Sequence, residues 1–271
     1  MVDTKLFKVE TSHGIVAVEA TTSAGPDVVL IHGNSSCRAV FDKQVRSQIG
    51  EDYRLICLDL PGHGDSSDAS DKQRTYNLPG LADASLETMS LLNVHNPVLV
   101  GWSLGGHVAI EMVHRGAAVR GLFLTGTPPV GADIREGFRG NLLKGLASTG
   151  PFSREQAKRF VEGVFGGEAT DKLVEAAMRT DGDFRTTLFS QARSSEKSNQ
   201  REVVSSVGKP TAIVNGAEDP IVNLDYIEAV PYARLWRGKC FTIPSAGHAS
   251  FLQNSLEFNS YLREFLEDLE S

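Results

Sequence analysis

The stretch that most constrains the chain is Gly101-Trp102-Ser103-Leu104-Gly105-Gly106. Before it, Pro97-Val98-Leu99-Val100 reads as a short buried strand, and after it Gly106 to Val113 reads as a helix. A serine at that corner, with glycine two positions before and two after, has the G-x-S-x-G spacing of a nucleophile elbow. The spacing has a steric cause. The turn is tight enough to strain the serine backbone, and a side chain at 101 or 105 would run into the neighbouring strand or helix. The helix start also favours negative charge developing beside the serine. Small-residue turns with a surface serine share this spacing by chance, so the flanking strand and helix are what give it weight.

Taken in order, Lys5 to Glu10 and Ile15 to Glu19 alternate apolar and polar around Ser12-His13-Gly14, which predicts a hairpin with one wet face. Asp27 to Ile31 is instead apolar almost throughout, as a strand covered on both faces should be. It ends in His32-Gly33-Asn34-Ser35-Ser36. A helix is expected over Val40–Ile49, a second buried strand over Tyr53–Leu60, an amphipathic helix over Leu81–Leu92 and a further strand at Leu122-Phe123-Leu124. From about Val130 to Val207 only helical patterns occur: Phe138–Leu146, Arg154–Val164 and Asp171–Met178, with loop signals at Gly166-Gly167, Asp181-Gly182-Asp183 and Ser194-Ser195. Strands return at Thr211–Val214 and Cys240–Ile243, and a closing helix starts at an Asn254/Glu257 capping box.

Such alternation predicts an α/β fold: a mostly parallel twisted sheet with helices on both faces. The helical stretch is too long for a loop and is expected to form a cap, residues 130–206, on a core of residues 1–129 and 207–271. Ligands of open α/β sheets bind beyond the carboxyl ends of the strands, where all the loops just named fall.

At 271 residues the chain has room for one large domain with an insertion. A net charge of -7 argues against nucleic acid or an anionic membrane surface as partner. No apolar run is long enough to span a bilayer, and Met1 to Lys5 carries no signal core. Cys37, Cys57 and Cys240 are odd in number and scattered, which favours a reduced, cytoplasmic setting. Cys57 and Cys240 are expected to fill the core.

Ser103 needs a base, and histidine suits because its ordinary pKa lies near neutrality. Of the 7 histidines only His32, His63 and His248 follow predicted strands. His32 and His63 sit among glycines in loops that read as structural, so His248, after the last strand, is the candidate base. The orienting acid is expected after the preceding strand, in Asn215-Gly216-Ala217-Glu218-Asp219-Pro220. The alternative place, Thr125-Gly126-Thr127-Pro128, has no carboxylate. Asp219 is chosen, with Glu218 in reserve. The Leu104 and Asn34 N–H groups are the candidate oxyanion donors, and the Asn34 side chain is also a candidate to reach a substrate oxygen. Gly33, Asn34, Trp102, Phe138, Phe160 and Phe189 are the candidate substrate-binding residues. No H-x-H-x-D-H, H-E-x-x-H, Walker or dinucleotide pattern occurs, so neither metal nor cofactor is expected.

Together the elbow, the His32-Gly33 loop, Leu60-Pro61-Gly62-His63-Gly64, the acid and the last histidine resemble the α/β-hydrolase superfamily over essentially the whole chain. More narrowly, His32-Gly33-Asn34-Ser35-Ser36, Gly101 to His107, Thr125 to Val130, Asn199-Gln200-Arg201 and Gly247-His248-Ala249 resemble its serine-dependent N-acylhomoserine lactonases. That resemblance implies metal-free opening of a quorum-sensing lactone. Two positions depart from it: Asp219 stands where glutamate is expected, and Phe160 where tyrosine is expected, leaving no phenol there for the acyl amide. A general carboxylesterase of small esters, or a ligand receptor on the same fold, would share most of these features. The expected partner is a small ester or lactone, and the expected assembly a monomer or homodimer.

Overall fold

Eight strands form one sheet in the order β1-β2-β4-β3-β5-β6-β7-β8. They are β1 (Thr4–Thr11), β2 (Gly14–Thr21), β3 (Asp27–Ile31), β4 (Arg54–Leu58), β5 (Val98–Trp102), β6 (Gly121–Thr125), β7 (Thr211–Gly216) and β8 (Phe241–Ile243). The computed structural model describes residues 2–140, 142–191 and 197–270. β1 and β2 form the expected antiparallel hairpin, and β2 joins β4 antiparallel. All later pairings are parallel. The central strands β5 and β6 are buried at every residue, because helices cover both faces and leave no position for a wet side chain.

Among the described residues the α-helices of seven residues or more are α1 (Leu78–Leu91), α2 (Leu104–His114), α3 (Arg154–Phe165), α4 (Asp171–Arg179), α5 (Phe184–Gln191), α6 (Gln200–Ser206) and α7 (Ser255–Asp268). Their starts are written locally. Ser153 and Gln156 cap α3 reciprocally, Thr170 caps α4, and the Asn254 side chain accepts the Glu257 N–H at the start of α7. In this last cap the second bond runs between side chains, Asn254 Nδ2 to Glu257 Oε2 at 2.9 Å, so the full capping box is not made. Phe258, Leu262 and Phe265 of α7 are wholly buried, and Phe258 and Phe265 pack on Phe123 of β6.

Two helix expectations are corrected. Val40–Ile49 is broken into single turns because the Ser47 hydroxyl accepts the Ile49 N–H and starts a new turn, Gln48–Asp52. Phe138–Leu146 is not a helix. Phe138 bridges Val222 in extended form, and a 3₁₀ segment covers Leu142–Ser148, with left-handed backbone ahead of it at Gly140 and within it at Gly145. The loop signal Ser194-Ser195 lies outside the described residues. Cys57 is buried in β4, while Cys240 is half-buried just ahead of β8. Between β6 and β7 every described element is helical. This segment is tied to the strand-end loops by Asn34 Nδ2 to the Ala147 carbonyl, Tyr76 Oη to Asp181 and Gln253 Nε2 to the Phe165 carbonyl.

Candidate active site

Ser103 sits between β5 and α2 with φ 54° and ψ −120°, a conformation that side chains other than glycine rarely adopt. The glycines around it permit this. A Cβ on Gly101 would stand 2.4 Å from Gly106 Cα of α2, and one on Gly105 would stand 2.0 Å from the Ile31 carbonyl oxygen of β3. The Ser103 N–H donates to the Thr125 carbonyl at 3.0 Å, and its own carbonyl accepts the Thr127 hydroxyl at 2.9 Å. The corner is therefore clamped from β5, β6 and α2 together.

His248 follows β8 and Asp219 follows β7. His248 Nδ1 donates to Asp219 Oδ2 at 2.8 Å, and both side chains are buried. The other Asp219 oxygen accepts the N–H groups of Ile221 (2.8 Å) and Val222 (3.1 Å). Burial pushes the Asp219 carboxyl up, but the His248 interaction and the two N–H donors outweigh it and hold the group below the usual carboxylate range. Glu218 is exposed, and its backbone N–H is committed to the Ala246 carbonyl. With Nδ1–H spent on Asp219, the imidazole has Nε2 available as an acceptor. The Trp102 indole N–H donates to the His248 carbonyl at 2.9 Å, so this aromatic fixes the backbone of the histidine as well as walling the cavity.

The loop after β3 is held by the two other strand-end histidines. His32 donates through Nδ1 to the Gly33 carbonyl (2.7 Å) and accepts the Leu60 N–H at Nε2 (3.0 Å). His63 donates through Nδ1 to the Pro61 carbonyl (3.1 Å) and accepts the Ser35 N–H (3.2 Å). Burial pushes the pKa of both down, which keeps them neutral and suits these one-donor, one-acceptor roles. A Cβ on Gly33 would stand 3.2 Å from Ser103 Cβ, so the Gly33–Asn34 backbone runs against the serine. The Asn34 side chain is occupied: Nδ2 donates to the Ala147 carbonyl at 3.0 Å and Oδ1 accepts the Ser35 hydroxyl at 2.9 Å. The Leu104 N–H lies at the first position of α2, where it has no intrahelical acceptor.

Ser103, Leu104, Asn34 and His248 face one cavity of about 100 Å³. Phe138, Phe160 and Phe189 line it too, whereas Gly33 does not contribute a wall. The sequence reading missed His107, Leu143, Ala147, Val164, Leu188 and Ile221 as lining residues. For His107 a signal existed: it stands four residues after Ser103, on the same face of α2. A second cavity of about 120 Å³, mostly apolar, adjoins the first and shares Leu104, His107, Phe138, Leu188 and Phe189 with it. Among the described residues no group of three or more His, Cys, Asp or Glu is placed to hold a metal ion. None of the described helices is long and apolar enough to cross a membrane.

A serine beside N–H groups without an acceptor among the described residues, facing a histidine–carboxylate pair across a small cavity, suits acyl transfer. Comparison with known proteins agrees. A sequence model of the alpha/beta hydrolase family matches residues 28–260. The chain is 27% identical to the pimeloyl-[acyl-carrier protein] methyl ester esterase of Stenotrophomonas maltophilia over 92% of this chain and 95% of that one. It is 40% identical to a variant of the N-acyl homoserine lactonase AidH complexed with N-hexanoyl homoserine, with a TM-score of 0.96 over 98% of each chain. AidH complexed with N-butanoyl homoserine gives 40% identity and a TM-score of 0.95 over 98% of this chain and 97% of that one. The chain belongs to the alpha/beta hydrolase family and is a carboxylic ester hydrolase.

Proposed function

We propose that the protein opens the lactone ring of N-acylhomoserine lactones, and so quenches quorum signals, through a Ser103–His248–Asp219 triad. The observation that carries this reading is the likeness, at 40% identity over 98% of both chains, to a lactonase bound to N-hexanoyl homoserine. The two adjoining cavities support it, since the one at Ser103 and His248 leads into a second, apolar one, and such a substrate has a lactone ring at one end and an acyl chain at the other.

In this mechanism His248 Nε2 takes the Ser103 proton as the oxygen attacks the ring carbonyl. The N–H groups of Leu104 and Asn34 hold the tetrahedral oxyanion. Collapse breaks the ring C–O bond, and His248 returns the proton to the leaving alkoxide, which stays tethered as a hydroxyl on the acyl-enzyme. Water, deprotonated by His248, then attacks the acyl carbonyl; the bond to Ser103 Oγ breaks, His248 returns the proton to that oxygen, and N-acylhomoserine leaves. Asp219 holds the imidazole in the required tautomer and stabilises the imidazolium. Residues 130–206 serve as the cap over a core of 1–129 and 207–271, with the acyl chain beneath Phe138, Phe160 and Phe189. The reading includes no metal or cofactor, a monomer or homodimer, and a cytoplasmic setting, which the three free thiols support.

Mass spectrometry of the products with N-hexanoyl homoserine lactone tests this. Ring opening adds one water to the intact molecule, whereas cleavage of the side-chain amide splits it in two. Prolonged chelation should leave kcat/KM unchanged, and a large loss restored by Zn²⁺ would contradict the serine mechanism. A second reading, hydrolysis of small acyl esters, is favoured by the likeness to the methyl ester esterase. It prevails if simple esters are turned over quickly and the lactone is left intact.

A further inference from the structure

We propose that His107 is the specificity-determining acceptor for the amide N–H of an N-acyl substrate, contacting it through Nε2. This rests on the lactone reading above and adds a contact to it. His107 lies one helical turn beyond Ser103, its N–H donating to the Ser103 carbonyl at 3.3 Å, and it borders both cavities. In an N-acyl lactone the amide lies between the ring and the chain. With the ring carbonyl at Ser103 and the chain in the second cavity, the amide passes the residues shared by the two cavities.

The imidazole is held in one tautomer. Gln200, at the start of α6, donates from Nε2 to the His107 carbonyl at 3.1 Å, and its Oε1 lies 2.6 Å from His107 Nδ1. The reverse placement of the amide would set two oxygens against each other. Gln200 therefore presents an acceptor to Nδ1, which must carry the proton, and Nε2 is left with its lone pair. Burial lowers the His107 pKa to about 4, so the ring stays neutral at physiological pH. Among the described residues Nε2 has no protein partner, and the residue is only half-buried. The shared side chains around it, Leu104, Phe138, Leu188 and Phe189, have no acceptor atom, and neither has Phe160. An amide N–H desolvated there without a partner would be penalised, so the acceptor at Nε2 discriminates by roughly 10- to 100-fold.

The test compares two substrates in each of three enzymes. The substrates are N-hexanoyl homoserine lactone and the same lactone with CH₂ in place of the amide N–H. The enzymes are the wild type, His107→Met and His107→Gln, and the readout is the ratio of kcat/KM for ring opening. The wild type is expected to prefer the amide by roughly 10- to 100-fold, and His107→Met to bring the ratio within about threefold of unity. His107→Gln, which offers Oε1 as an acceptor, should recover much of the preference. Each ratio is internal to one enzyme, so loss of folded protein cancels. A wild-type ratio near one, or an unchanged ratio in His107→Met, overturns the role of His107 and leaves the lactone reading standing. Failure of the wild type to open either lactone overturns that reading, and this one with it.

Discussion

Arg185 Nη1 donates to Ser35 Oγ at 2.8 Å across 150 residues of sequence, and no carboxylate pairs with this guanidinium among the described residues. Arg185 is wholly buried, and burial lowers its pKa to about 10. Its other donors go to the carbonyls of Thr149 and Gly150, and it stacks over the Phe152 ring. The Ser35 hydroxyl passes the link on to Asn34 Oδ1, and Asn34 Nδ2 returns it to Ala147. A buried cation thus fixes the loop that carries the candidate oxyanion donor to the 3₁₀ segment that walls the cavity.

Arg185→Ala is expected to lower stability by about 2–4 kcal/mol, since it takes the donor from the half-buried Thr149 and Gly150 carbonyls and from Ser35 Oγ and removes the side chain stacked on Phe152. It should also reduce kcat roughly tenfold through misplacement of the Asn34 N–H. Arg185→Lys should recover part of the stability but little of the rate, because a point charge cannot bridge the serine and two carbonyls together. Thermal melts with steady-state kinetics check this, and wild-type kcat in Arg185→Ala would remove the loop from the argument.

Asp219→Asn is expected to lower kcat by roughly 10³–10⁴, and Glu218→Gln by less than about twofold. The asparagine NH₂ would face His248 Nδ1 and favour the wrong tautomer, or Oδ1 would face it and leave the N–H groups of Ile221 and Val222 facing an amide. The exposed Glu218 has no such role. Should the glutamine variant prove the more damaging, the acid is misassigned.

The elbow could be read in the sequence because the glycine spacing is set by its own geometry: a side chain at 101 would meet Gly106 at 2.4 Å within the turn, and one at 105 would meet the adjacent strand β3 at 2.0 Å. That His248 and Asp219 meet could be anticipated because chain order in an α/β sheet puts them after successive strands. Other features depend on distant contacts. α5, Phe-Arg-Thr-Thr-Leu-Phe-Ser-Gln, has a weak helical period, and its place is fixed by Arg185 and by Phe184 packing on His63 and Tyr76. The His107–Gln200 pair joins residues 93 apart, which no spacing rule would connect. Phe138–Leu146 has apolar residues at helical spacing, but the glycines at 140 and 145 take left-handed backbone and prevent a continuous helix.

Stability is expected to fall as the pH drops from about 7 to 4.5. His32, His63 and His107 are all pushed down by burial, so their folded pKa values lie below those of the unfolded chain. The unfolded state then takes up protons that the folded state refuses. The stability of the neutral rings is complete above about 6.5 and is lost as the pH falls toward the folded values. For His107 the window runs from 6.5 to about 4. His107→Gln, which cannot titrate, should flatten the decline by about 1–3 kcal/mol, or several degrees in Tm. Parallel Tm–pH curves for the two proteins would exclude His107 from the effect.

Ser103→Ala and Ser103→Gly separate the chemistry of the serine from its strain. Both remove the proposed nucleophile, and both should lower kcat by about 10⁶. They differ in the backbone. At φ 54° and ψ −120° alanine keeps a Cβ and retains the strain, whereas glycine relieves it. Ser103→Gly is therefore expected to be more stable than Ser103→Ala by about 1–3 kcal/mol, less the entropy that glycine adds to the unfolded chain. For a chain of this size that is a Tm difference of several degrees. Calorimetry of the two inactive variants measures it directly. Equal melting temperatures would mean that the corner is imposed without stored strain. A tenth of the wild-type activity in either variant would remove Ser103 as the nucleophile.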